Sequence, residues 1–269
     1  MPFELVAEYL NVSVAIVLIL RLITRKLFAG HRVFGALIAF DLASSLAVLA
    51  MPWDRFGLDY RFAWLAIISV SCILYVWVVY AMLRTVMINH PGILKMSRRV
   101  SIVCFVIAGL LALGSAHIEL AALNLQADST NLAFWVEVSF VVERALCTAS
   151  LALLALMLFF LLWFPVQVSR NVAGLSAGLL VYFAAKTVLI FGRDVWSPDS
   201  LRLVSAIIIL ISTGCLLFWA IYLTPTREYA QVRIGHSWKP ADQERLMQQL
   251  EALNSALLRS RQSTRIPTL

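Results

Sequence analysis

The sequence predicts an all-α integral membrane protein: a seven-transmembrane-helix bundle with its N-terminus outside and its C-terminus cytoplasmic, followed by a short C-terminal amphipathic helix. Three observations carry this prediction. Of 269 residues, 61% are hydrophobic and only 14% charged, whereas soluble domains carry roughly half apolar and a quarter charged residues. The apolar residues are gathered into runs of about 18–22, the length that crosses a hydrocarbon layer as a helix. The basic residues lie in the short gaps between runs, sorted to one side.

Seven runs qualify as spans, at about residues 4–23, 33–51, 62–83, 100–119, 136–164, 172–192 and 203–223. An odd count puts the two termini on opposite sides. Sixteen basic residues flank the ends on one face, from Arg21, Arg25, Lys26 and Arg32 through Arg84, Lys95, Arg98, Arg99 and Arg170 to the tail; the other face has Arg55, Arg61, Arg193 and Arg202. Short cytoplasmic loops collect Lys and Arg, so the tail reads as cytoplasmic and the N-terminus as outside. Trp53, Trp64, Trp135 and Trp196 fall at outer ends and Trp163 and Trp219 near inner ends, where indole rings favour the interface. All eight prolines lie outside the spans, which predicts continuous helices.

Several classes are set aside on the same grounds. Cys72, Cys104, Cys147 and Cys215 lie inside apolar runs without CxxC or metal-type spacing and read as small buried hydrophobes, with no metal or cofactor implied. The segment MPFELVAEYLN has Glu4 and Glu8 where a signal peptide carries basic residues, so the first run reads as a retained helix. The net charge of +7 comes from loop residues rather than a basic face, which argues against nucleic acid as a partner. Membrane lipids are the partners this leaves, in a cell membrane of the bacterial inner-membrane type.

Residues 1–223 form the transmembrane domain in this reading, 224–239 a linker along the membrane surface, and 240–269 a cytoplasmic amphipathic helix and tail. In the last segment Leu246, Leu250, Leu253 and Leu257 are spaced four, three and four apart, a heptad seam. Asp242 suits an N-cap, and Arg259 and Arg261 suit the C-terminal turn. Two heptads do not hold an isolated coiled coil together. The seam therefore requires a homodimer, a protein partner or its own membrane domain, unless the helix lies on the inner leaflet.

The chemistry is expected where charges enter the spans. An ionisable side chain at the bilayer centre costs about 2.5–3.5 kcal/mol on insertion scales, so it faces the bundle interior and takes a partner. Gly174, Gly178, Tyr182 and Lys186 repeat every four residues, a stripe whose small members admit a neighbouring helix. Lys186 lies ~22 Å above Asn171, in the outer half. Its expected counter-charges are Glu143, Glu137 and Glu119, in an outer-half cluster of Lys186, Glu143 and Arg144 with Glu137, His117 and Glu119 at the rim. This cluster reads either as a ligand pocket or as a structural ion-pair network. Asp41, with Ser44 and Ser45 three and four residues on, makes a second candidate, a proton or ion site or else a hydrogen-bonded helix contact. It lies only ~12 Å above Val33, too low for an easy pair with Lys186.

Seven spans and one buried lysine invite comparison with retinal proteins, but there the lysine is in the last helix, and LVSAIIILISTGCLLFWAIYL has none. The DRY and NPxxY motifs of G-protein-coupled receptors are absent, as are HExxH, GxSxG and P-loop signatures, so no enzyme is expected. The layout resembles, in architecture alone, the seven-helix membrane input modules of bacterial sensor proteins. That likeness implies a receptor or sensor that binds a small molecule or ion in the outer half and signals through the 240–261 helix. A small ion- or proton-coupled transporter using Asp41 and a non-catalytic subunit of a membrane complex are the competing expectations.

Overall fold

The computed structural model describes the backbone of residues 2–28, 30–50, 58–88, 90–122, 132–164, 166–193, 198–233 and 240–263. Side chains are described at 6–28, 30–50, 62–88, 90–110, 138–164, 166–188, 190, 206–232, 242–257 and 259. Among the described residues seven long helices follow in order: α1 (Pro2–Thr24), α2 (Arg32–Ala50), α3 (Leu58–Val86), α4 (Pro91–Ala122), α5 (Leu132–Trp163), α6 (Arg170–Arg193) and α7 (Pro198–Tyr222). A single turn, α8 (Pro225–Tyr229), and a last helix, α9 (Pro240–Ser263), come after them. Five of these nine helices open on proline, whose missing N–H is no loss at the first helical position. α1 ends in a Schellman motif: Leu27 N–H bonds the Leu22 carbonyl and Lys26 N–H that of Ile23, with Lys26 at φ 57° where glycine is usual.

Five stretches are long and apolar enough to cross a membrane: Val6–Thr24, Arg32–Ala50, Phe62–Val86, Val138–Trp163 and Arg170–Val188; Ala206–Tyr222 is apolar but shorter. Their outward faces are apolar as well. Ile73, Phe159, Val188 and Ile221 are each at least 59% exposed, and apolar exteriors on this scale belong in lipid rather than water. The chain is a membrane-embedded helical protein.

Neighbours in space are not always neighbours in sequence. α1, α2, α3, α5, α6 and α7 form a closed ring, each packing on the next and α7 returning to α1, while α3 also meets α6. α4 stands outside the ring against α5, touches α3 and carries α9. One half of the ring is filled solidly. Leu22, Phe34, Leu161, Leu175, Trp219 and Leu223 are all at most 2% exposed, and Phe34 meets the Trp219 indole edge-on at 4.9 Å between ring centres. Gly178 and Gly174 give α7 its close approach: a methyl group on either would collide with Trp219 or Tyr222 respectively. Trp219, expected at the membrane interface, is thus a core residue, because the glycine leaves room for its ring inside. Trp163, at 53% exposed, does face outward.

The stretch expected to be a linker is folded as far as Arg233. Strand β2 (Gln231–Arg233) pairs antiparallel with β1 (Gln167–Ser169), matching Val168 with Val232, so the fold carries one short two-stranded ribbon that an all-α reading omits. α8 is held by side chains. His31 Nε2 lies 3.1 Å from Glu228 Oε2, to which Asn171 Nδ2 also donates at 2.8 Å; Asn171 Nδ2 donates again to the Thr224 carbonyl at 2.9 Å. The His31 hydrogen bond, helped by that of Asn171, holds the Glu228 carboxyl below its ordinary value of 4.5 despite the opposing effect of burial. A depressed carboxylate adds stability that is present above its unfolded value and lost as pH falls through the folded one. In thermal unfolding followed from neutral to acidic pH, Glu228→Gln is expected to lower the midpoint at neutrality. Its midpoint should also fall less than that of the wild type below pH 4.5.

The α9 seam is used differently from a symmetrical heptad. Leu250 is 1% exposed and Asn254 Oδ1 accepts the Gly92 N–H at 2.6 Å, so the helix docks at the start of α4. Leu246 and Leu257 are half-buried, while Leu253 turns outward at 48% exposed. The inward stripe follows the 3.6-residue period of a straight helix rather than the 3.5 of a supercoil.

Candidate functional site

The other half of the ring holds a cavity of about 500 Å³, and every ring helix contributes to its wall. α1 supplies Glu8 and Asn11, α2 Asp41, Ser44 and Ser45, α3 Trp64, Ser71 and Tyr75. α5 adds Phe140 and Glu143, α6 Tyr182 and Lys186, and α7 Ser212. These positions lie toward the end of the bundle where α1 begins and α2 and α6 finish.

Lys186 is the centre of the polar network. Its Nζ lies 2.6 Å from Glu143 Oε1 and donates to the Tyr75 hydroxyl at 2.6 Å. The Tyr75 and Tyr182 hydroxyls are 3.1 Å apart, and the ammonium sits 4.6 Å and 5.9 Å from the centres of the two rings. An ammonium has three protons to donate; a carboxylate, a phenol and two ring faces surround this one. The sequence dictates the meeting. Glu143 and Lys186 are on the adjacent helices α5 and α6, and in lipid neither charge has water to turn to.

The cluster expected around Lys186 is therefore divided. Glu143 and Tyr182 join the lysine at the cavity wall. Arg144, one residue further on α5 and ~100° around the helix, does not line the cavity. The side chains of Glu137, His117 and Glu119 lie outside the described residues.

Asp41 is not a separate site, as its expected height implied, but lines the same cavity as Lys186. His31 and Asn171 both reach Glu228, so α2 and α6 start nearly level. Measured from there, Lys186 is five residues higher than Asp41, or ~7.5 Å. Helical side chains lean back toward the helix N-terminus, and the lysine stem covers much of that gap. Asp41 also borders a recess of about 20 Å³ beneath the cavity, between Tyr75, Tyr182 and Trp219, room for a single water. Among the described residues its carboxylate has no hydrogen-bond or ion-pair partner within 4 Å. Ser44 donates to the Asp41 backbone carbonyl at 2.9 Å, so its hydroxyl serves its own helix, while Ser45 lines the cavity.

Further neutral polar groups complete the wall, and sequence reasoning missed Asn11 and Tyr75 among them. Asn11 Nδ2 donates to Thr213 Oγ1 at 3.1 Å, joining α1 to α7. An asparagine in the apolar run of α1 was a usable signal, since its amide needs partners in lipid. Tyr75, in the run CILYVWVVY, gives no such signal.

Fold and site together define a class: a membrane-embedded helical bundle with a largely apolar cavity into which an internal ion pair and a few polar side chains project. Comparison with family models, curated proteins and solved structures returns no match.

Proposed function

We propose that the protein is a seven-helix membrane receptor or sensor, N-terminus outside, that binds a small molecule or ion in its outer-half cavity and signals through its cytoplasmic helix. The observation that carries this reading is a cavity lined by all six ring helices and backed by the packed layer of Phe34 and Trp219. A cavity of about 500 Å³ is the size of a small-molecule site. Its occupant would touch every ring helix at once, so binding can change how they pack. α9, docked on α4 outside that ring, is free to carry the output. Alternating access, which a carrier using Asp41 requires, would have to open the Phe34–Trp219 layer.

Cysteine labelling separates the two. With the four native cysteines replaced by alanine, Ser45→Cys is expected to react with a membrane-impermeant thiosulfonate added on the N-terminal side only. Removing residues 240–269 should leave that labelling unchanged. Reaction from both sides would favour the carrier.

A further inference from the structure

We propose that the cavity is selective for a small organic cation, an amine or quaternary ammonium, held by the Asp41 carboxylate and the tyrosine wall, with the Lys186–Glu143 pair as fixed architecture. This assignment rests on the cavity being a ligand site.

The first reason is charge. Lys186 and Glu143 neutralise each other at 2.6 Å, and the lysine protons are already directed at Glu143 and Tyr75. An incoming anion would find two of the three ammonium protons taken and would have to sit beside the Glu143 carboxylate, which repels it. Asp41 offers the opposite case. Its carboxylate lines the cavity with no hydrogen bond or ion pair within 4 Å among the described residues, Lys186 acting on it only from further off, so a cation is received without breaking a direct contact.

The second reason is an arrangement already present in the molecule. The protein surrounds the Lys186 ammonium with a carboxylate, a phenol oxygen and two tyrosine faces. Asp41, Tyr75 and Tyr182 border the recess at the cavity floor together with the Ser71 and Ser212 hydroxyls. The two tyrosines that hold the Lys186 ammonium thus also stand beside the Asp41 carboxylate. Ring faces and a carboxylate favour cations and repel anions. Trp64 and Phe140 extend the aromatic surface, which suits a ligand with an apolar body. A proton alone would not require this volume.

The test uses the full chain in lipid nanodiscs, cysteine-free except for Ser212→Cys, with 2-phenylethylammonium, phenylacetate and 2-phenylethanol as probes of matched shape. Each is titrated for its ability to slow labelling by the neutral reagent methyl methanethiosulfonate. The cation is expected to protect at concentrations at least tenfold lower than the alcohol, with phenylacetate weakest. Asp41→Asn should remove the cation's advantage. The comparison among probes stands even if that variant does not fold. Protection by phenylacetate or the alcohol at concentrations equal to or below those of the cation, or an undiminished cation advantage in folded Asp41→Asn, would overturn the cation assignment while keeping a ligand site. Labelling slowed by none of the three would overturn both.

Discussion

Lys186→Met is expected to destabilise the protein by about 3–5 kcal/mol, because it strands the Glu143 carboxylate in a wall where that residue is 7% exposed. The penalty belongs to the orphaned charge and not to the lost contact, and this has a measurable consequence. Glu143→Gln alone also destabilises by leaving the ammonium without its carboxylate, yet the double variant Lys186→Met/Glu143→Gln should recover most of the loss. A double-mutant cycle of unfolding free energies in mild detergent reads the coupling directly. Additive losses would mean that the 2.6 Å contact contributes nothing beyond its parts.

Trp219→Ala should have a comparable effect, about 3–5 kcal/mol, since it empties the centre of the packed layer. Gly178 supplies the control. Gly178→Ala should cost about 1–3 kcal/mol in the wild type by driving a methyl group into the Trp219 indole, and close to nothing in the Trp219→Ala background, where that obstacle is gone. The same cycle with Gly109→Ala, where an added methyl meets nothing within 4 Å, should show no coupling. Denaturant unfolding of the three single and two double variants checks both statements.

Which parts of this protein could be read from its residues follows from what lipid penalises. Charges within apolar runs are costly, so Lys186, Glu143 and Asp41 were conspicuous. Long apolar runs are equally conspicuous, and five of them are helices of membrane-crossing length. α4 was harder to bound: it begins at Pro91, nine residues before the run assigned to it, because Lys95, Arg98 and Arg99 interrupt its apolar character. The ring itself was not legible. In lipid the outward and inward faces of a helix are both apolar, so hydrophobic pattern does not say which helix faces which. The placement of α3 beside α5, with α4 displaced outward, depends on side-chain fit. The glycine stripe shows the same limit: Gly174 and Gly178 face α7, while Tyr182 and Lys186, further along it, face the cavity. A four-residue step advances ~400° and so drifts ~40° around the helix each time.

The contact between α1 and α7 also bears on how the molecule is made. Chains are synthesised from the N-terminus, so α1 enters the membrane long before its partner exists. Asn11 finds Thr213 about 200 residues later, and at the other end of the helix the Arg21 guanidinium reaches the Ile221 carbonyl at 3.4 Å. Until α7 arrives the ring is open and the polar side chains of its wall face lipid. A chain that stops before α7 therefore presents the membrane with an unfinished wall, a distinctive mark for quality-control proteases, and the cavity comes into being only with α7.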